Sequence, residues 1–445
     1  MYHRKLLGLF LGIAIIFLVW VPGSEASSLM AVRSWTAPGY TRIVFDLDRP
    51  VLFQELHNKD SRNISLELRN CTNSTAQDSY DIDSSLIESV RLLQSPLSSL
   101  VAEITTSIAL SYHIFYLQKY EMKPDRIVID IKHPVDAQQE KETKREIEDL
   151  KKANWIVAID PGHGGEDPGA LSKEGYREKD IVLAVGKMLR DQLNDQSGIK
   201  AYLTRDGDYF LSLRERIEIA HKFQADLFIS LHANANLKST TRGTSVYYLS
   251  RDGATDEASA LLADKENASD LIGGIPLGKD SLLDSILIDL AQTRTINESI
   301  DLGEKVLREL GSIKGLEREG LKCANFGVLK SPSIPSVLVE LAYLSNHTDI
   351  KMLSSKKYQK EMSQRICQGA LEFLGECPPK EKHYRMVAGA SASGEDYEIH
   401  VVKQGETLWR ISSLYGISLD IIRNLNGLHS SSLLMVGQKL KIPSH

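Results

Sequence analysis

Residues 155–170 read WIVAIDPGHGGEDPGA: a short apolar run that breaks into a loop of glycine, proline and acidic residues with His163 at its centre. Apolar runs of this length suit buried strands, and glycine with proline lets the chain turn sharply at the strand's end. A helical pattern follows in DIVLAVGKMLRDQL, with apolar residues at Ile181, Val185, Met188 and Leu189. DLFISL (226–231) and SVLVEL (336–341) are two more strands of the buried kind. From Trp155 to about Gly375 strands and helices alternate, which predicts an α/β domain: a mostly parallel sheet with helices on both faces.

That fold places chemistry. Open α/β sheets bind ligands beyond the carboxyl ends of their strands, so residues far apart in sequence can converge there. WIVAID leads to His163, DLFISL runs into His232, SVLVEL contains Glu340, and Glu178 precedes the first helix. Alone, His232 reads as a core histidine and Glu178 as an acid favoured by a helix N-terminus. Glu340 is different, because a carboxylate within an apolar strand costs several kcal/mol unless paired or used. Two histidines and a carboxylate around an open position form the ligand set of a catalytic zinc.

Five ordered motifs, IDPGHGGEDPGA, REKDIVLAV, TRDGDYFLSLRERIEIA, FISLHANAN and PSVLVELAYLSN, together resemble the zinc-dependent N-acetylmuramoyl-L-alanine amidases of bacterial cell walls over 154–376. The resemblance implies that His163, Glu178 and His232 bind zinc and that Glu340 is the catalytic carboxylate. Arg216 matches a family arginine, but reads as a structural ion pair. Two rival functions remain at this level: a zinc peptidase cutting the stem peptide, since both hydrolyses need the same parts, and a catalytically inactive peptidoglycan-binding scaffold.

The rest of the chain agrees with an address at the wall. Of 445 residues, 42% are hydrophobic and 25% charged, with net charge −6, so domains with cores are expected and no basic field collects nucleic acid. MYHRK, LLGLFLGIAIIFLVWV and PGSEASS have the layout of a secretory signal peptide over 1–26. The apolar run falls short of the roughly 20 residues a spanning helix needs. Residues 29–132 alternate with period two in runs such as TRIVFDLDRPVLFQEL and RIVIDIKHP, predicting a β-sandwich. They resemble the AMIN domain that precedes many such amidases and binds the wall at the division site. Charged residues 133–153 and the stretch 377–397 read as linkers. Residues 398–443, with VVKQGETLWRISSLYGIS and VGQKLKIP, read as strand, two helices and strand and resemble a lysin motif (LysM), a binder of glycan chains. Cys71, Cys323, Cys367 and Cys377 include no Cys-x-x-Cys pair. Export would permit a Cys367–Cys377 bridge, but these cysteines read more simply as buried small residues.

Residues 251–297 are a long insertion between GTSVYYLS and the helix near SIDLGEKVLREL. The division amidases of Gram-negative bacteria carry a similar insertion, whose acid occupies the metal's open position. That resemblance selects Glu266, with Glu257, Asp264 and Asp270 as competitors. It implies a periplasmic enzyme at the septum, released by a LytM-type activator of the degenerate metallopeptidase kind. The run SLLDSILIDLA is the expected handle for that partner, as an amphipathic helix that can dock in a groove.

Overall fold

The computed structural model describes residues 26–134, 153–250, 253–273, 282–375, 397–402 and 437–443, with isolated positions between the last two and short gaps at 59, 96–97, 121–122, 237 and 332. Side chains of 282–294 lie outside the description. So do the expected signal peptide, most of both linkers, Cys377 and the expected helices of the C-terminal module. The chain forms two compact units, divided after Pro134.

The first unit is all β: β1 (Ser27–Ala37), β2 (Tyr40–Leu47), β3 (Leu52–Leu56), β4 (Asn63–Arg69), β5 (Cys71–Asn73), β6 (Ser79–Tyr80), β7 (Ile87–Gln94), β8 (Leu100–Thr106), β9 (Tyr112–Leu117) and β10 (Asp125–Lys132). They make two five-stranded sheets, β5-β1-β2-β10-β9 and β3-β4-β8-β7-β6. Alternate residues of both, among them Phe45, Ile129, Leu66 and Ile104, meet in one buried core. Period-two patterning therefore yields the strand-rich domain it predicts.

The second unit is built on β11 (Trp155–Pro161), β12 (Ile199–Leu203), β13 (Leu227–Asn234), β14 (Thr244–Leu249), β15 (Arg318–Ala324) and β16 (Ser336–Tyr343), in the order β12-β11-β13-β16-β14-β15. β12, β11, β13 and β16 are parallel, whereas β14 pairs antiparallel with β16 and parallel with β15. The sheet is thus mixed. The reason is the connection: β14 follows β13 after a short loop with no crossover helix, and such a connection sends the chain back the opposite way.

The helices are α1 (Glu178–Asn194), α2 (Leu213–Lys222), α3 (Glu257–Asn267), α4 (Ser269–Ile272), α5 (Leu282–Leu310), α6 (His347–Leu353) and α7 (Lys356–Gly375). Residues of α1, α5, α6 and α7 share one core with one face of the sheet, while α2 and α3 pack on the other face around Phe228, Tyr247 and Leu338. Helices do cover both faces. The insertion does not end at 297 as a separate element, because α5 runs unbroken through that position. In the C-terminal part, β17 (Tyr397–Val401) and β18 (Lys439–Pro443) form an antiparallel pair. Cys71 and Cys367 are buried free thiols, and Cys323 is half-buried.

Candidate metal centre

After β11 the chain crosses the end of β13 so closely that a Cβ at Gly162 would stand 2.4 Å from the His232 ring. Only glycine fits there. His163 then takes φ +59°, a left-handed conformation that costs a non-glycine residue on the order of 1–3 kcal/mol and persists only where its surroundings enforce it. Two buried arginines do so. Arg216 donates to Asp160 Oδ1, to Pro161 O and to His163 O, each at 2.8 Å. Arg205 donates to Pro161 O at 2.9 Å, Gly162 O at 2.7 Å and Lys179 O at 2.9 Å.

Asp160 anchors this frame, accepting also from Thr204 Oγ1 at 2.6 Å and Ser230 Oγ at 2.8 Å. Burial alone would raise its carboxyl, but Arg216 and the two hydroxyls outweigh that and hold it below its usual range. Arg216 itself is positioned because α2 begins where it does: Ser212 Oγ accepts from Glu215 N at 3.1 Å while Glu215 Oε2 accepts from Ser212 N at 2.8 Å, a capping box.

The imidazole of His163 is fixed from behind. Its Nδ1 lies 2.7 Å from Asp167 Oδ2, which turns Nε2 toward the sheet. Glu178, the first residue of α1, meets it there: Glu178 Oε1 is 3.0 Å from His163 Nε2 and 3.1 Å from His232 Nδ1. The carboxylate is aimed by Ala170 N at 2.7 Å and Ala233 N at 2.9 Å. A Cβ at Gly169, where φ is +66°, would fall 2.6 Å from Glu178 Oε2. From the last turn of α3, Glu266 Oε2 reaches both His163 Nε2 and His232 Nδ1 at 3.1 Å. One ligand atom from each of these four residues lies within 4.8 Å of the other three.

All four residues are buried, and His163 Nε2 and Glu266 Oε2 have no hydrogen-bond partner. Burial alone would lower the His232 imidazole, yet Glu266 and Glu178 lift it to about 9, and His163 is raised likewise against burial by Asp167, Glu178 and Glu266. Glu266 is held well below the carboxylate range, with Lys265 and both imidazoles outweighing its burial. The cluster therefore demands positive charge at its centre. Two nitrogens and two carboxylate oxygens around a common point fit a divalent first-row metal.

Comparison with known proteins matches two regions of the chain. Residues 157–372 match the N-acetylmuramoyl-L-alanine amidase family, and residues 400–443 match the LysM domain. N-acetylmuramoyl-L-alanine amidase AmiC of Escherichia coli is 32% identical over 380 residues, covering 79% of this chain and 91% of the relative. This chain belongs to the N-acetylmuramoyl-L-alanine amidase family. Amidase AmiA of Escherichia coli is 40% identical over 220 residues, 49% of this chain and 76% of its own. A solved structure, AmiC2 of Nostoc punctiforme, is 31% identical, covers 50% of this chain and 99% of its own, and has a TM-score of 0.38.

The protein is thus a hydrolase, an amidase acting on peptidoglycan. Of the residues singled out in its sequence, His163, Glu178, His232 and Glu266 meet in one cluster. Glu340 stands beside it rather than in it: on β16 it is the register partner of His232 on β13. Its carboxyl is 1% exposed as a residue, neither oxygen has a hydrogen-bond partner, and burial pushes it up to about 8 against the pull of His232. The competitors of Glu266 lie elsewhere in the insertion; Asp270, for one, accepts from Leu213 N at 2.9 Å.

Arg216 is a structural ion pair, at 2.8 Å from Asp160. Asp160, Asp167 and Arg205, which frame the cluster, were not singled out in the sequence. Asp167 follows His163 by four positions in the opening loop, and Arg205 stands in TRDGD. Their signal was membership of the motifs, not spacing, because they act through neighbours.

Proposed function

We propose that His163, Glu178 and His232 hold a catalytic zinc, that Glu340 is the general base, and that Glu266 takes the remaining metal position in a resting enzyme. One observation carries this reading: a buried four-residue cluster whose fourth member comes from the insertion, with Glu340 on the adjacent strand outside it. The bond cut is the amide between the lactyl group of N-acetylmuramic acid and L-alanine.

Zinc, when bound, supplies the positive charge that polarises the amide carbonyl and makes water acidic near neutral pH. Asp167 holds His163 in the ligating tautomer, and the amides of Ala170 and Ala233 hold Glu178. Glu340 takes a proton from the attacking water as its oxygen bonds to the carbonyl carbon. It then returns that proton to the nitrogen as the carbon–nitrogen bond breaks, releasing a lactyl carboxylate and the free amine of L-alanine. Glu266 must leave first.

The flanking parts extend the proposal. The strand-rich N-terminal unit serves as an AMIN-type anchor and the LysM domain as a glycan anchor, in an exported, periplasmic enzyme of cell separation. No helix among the described residues is long and apolar enough to cross a membrane. A LytM-type partner would draw the insertion away, and it can do so only by binding the open state better than the closed one.

The test combines chemistry with metal analysis. Purified wall treated with the protein in its activated state should release intact stem peptides beginning with L-alanine, leaving the sugar chains whole. His163→Ala and His232→Ala should each lose the bound zinc and this activity together. Full zinc occupancy in His232→Ala would remove that residue from the ligand set.

A further inference from the structure

Glu266 is not alone at the site: the next residue of the insertion holds a pair of backbone groups on the amidase domain. Asn267 Nδ2 donates to Asn325 O at 2.9 Å, and Asn267 Oδ1 accepts from Gly327 N at 2.6 Å. Both groups lie just beyond β15, the end strand of the mixed sheet. In a parallel ladder a residue of one chain donates its N–H to the residue before its partner and accepts at its carbonyl from the residue after it. Asn325 O and Gly327 N stand in that relation about Phe326, whose backbone is extended at φ −73° and ψ 123°. The carboxamide of Asn267 thus makes the two bonds that one residue of an extended peptide makes with its backbone.

A Cβ at Gly327 would stand 2.9 Å from both Asn267 Oδ1 and Leu213 Cδ1, so the approach is close. Asn267 and Phe326 line one cavity with His163, His232 and Glu266, and Asn325 is exposed, which leaves the backbone pair within reach of a ligand at the metal centre. Glu266 and Asn267 are consecutive, with Cα atoms about 3.8 Å apart. The lactyl carbonyl and the alanine of the substrate are consecutive units as well. A carboxylate at the metal position followed by a carboxamide on the backbone pair therefore has the order of groups that the substrate has.

We propose that Asn325 O and Gly327 N form the subsite for the first residue of the stem peptide. L-Alanine binds there in extended form, its N–H donating to Asn325 O and its carbonyl accepting from Gly327 N, and Asn267 is the stand-in that fills the subsite in the resting enzyme. The inference rests on the proposed cleavage of the lactyl–alanine amide and on Glu266 as the resting occupant of the metal position. Peptide groups are trans, so an alanine N–H turned to Asn325 O directs the lactyl carbonyl the opposite way. The subsite thereby orients the scissile amide as well as holding it.

The experiment uses the zinc-loaded full chain with Glu266→Ala and Asn267→Ala, which vacates the subsite. Two soluble substrates are compared: N-acetylmuramoyl-L-alaninamide and the isopropylamide of N-acetylmuramic acid, in which a methyl replaces the alanine carboxamide. Gly327→Ala in that background keeps the N–H, whereas Gly327→Pro removes it, and the extended Phe326 suits the residue before a proline. Preference for the alaninamide, taken as the ratio of kcat/KM values, should be about tenfold lower in Gly327→Pro than in Gly327→Ala, the scale of one hydrogen bond. The intrinsic reactivity of the two leaving amines cancels in that comparison.

A second measurement needs neither turnover nor a proline. Phe326–Gly327 is the single Phe-Gly step in the sequence, so isotope labels on phenylalanine carbonyls and glycine nitrogens isolate the Gly327 amide resonance. Asn267→Ala should move that resonance upfield, and N-acetyl-L-alaninamide at about 20 mM, above a millimolar Kd, should move it back, while N-isopropylacetamide should not. In the unaltered chain, where Asn267 fills the subsite, the same probe should leave the resonance in place. Equal preferences in Gly327→Pro and Gly327→Ala overturn the proposal. So does a Gly327 resonance in Asn267→Ala that answers to both probes alike or to neither. The place of Glu266 is judged separately, by the basal rate of Glu266→Ala, which bears on neither readout.

Discussion

At the scale of single residues, the proposed reading separates groups that would hold a metal from one that would stay off it. Glu340 has register beside His232 but no place in the four-residue cluster, so Glu340→Gln should keep its zinc and lose roughly two to four orders of magnitude in rate. Near-normal turnover of that variant would take Glu340 out of the mechanism. Asp160 makes a different prediction, about stability. Its folded pKa lies below the ordinary value of 3.8, so the stabilisation it provides is complete above that pH and is lost as pH falls through the folded pKa. Asp160→Asn leaves the Arg216 guanidinium buried without its carboxylate and should cost about 3–5 kcal/mol near neutral pH. Denaturant unfolding of the two proteins should show a gap that is constant above about pH 5 and narrows below the unfolded pKa of about 3.9. A gap independent of pH down to acid unfolding would mean that the pair contributes only packing.

At the scale of elements, the legible features were those written in periodicity and in strand ends. β11, β13 and β16 follow from short, mostly apolar runs bounded by turn signals, and His163 and His232 follow from where the apolar runs WIVAI and LFISL give out. The direction of β14 was not legible, since it depends on a loop that lacks a helix rather than on the strand's own residues. Nor was the clamp of Arg205 on four carbonyls, because backbone acceptors leave no mark in a sequence. The insertion was legible as an insertion, but the choice of Glu266 over its neighbours required resemblance.

The structure gives that choice a geometric basis: α3 ends over the centre, and the next residues are tied down by Asn267 to Gly327 N at 2.6 Å and by Ser269 to Asp167 at 2.6 Å. Glu266→Ala should therefore raise the basal rate of the full chain while zinc stays bound. The assay is dye release from labelled wall without any partner. Equal basal rates in the two proteins, both already at the activated level, would reduce the insertion to a structural extension.

At the scale of the whole molecule, the amidase domain and the LysM domain answer different physical needs. Cleavage depends on a rigid constellation within a few ångströms, which the mixed sheet supplies. Retention on an insoluble polymer depends on effective concentration, which a linked binding module raises without touching the reacting atoms. The LysM match over 400–443 lies wholly outside the amidase match over 157–372, and its β17–β18 pair closes on its own small core around Leu440 and Ile442. Removing residues 399–445 should then weaken co-sedimentation with purified sacculi and slow their digestion, while leaving kcat/KM on a small soluble muropeptide within about twofold, because a small substrate gains nothing from tethering. The two substrates must be compared on the same preparation, with zinc content measured in each. An equal loss on sacculi and on the soluble muropeptide would show that the terminal module belongs to the catalytic fold, since only a defect at the centre itself can slow a reaction that needs no anchor.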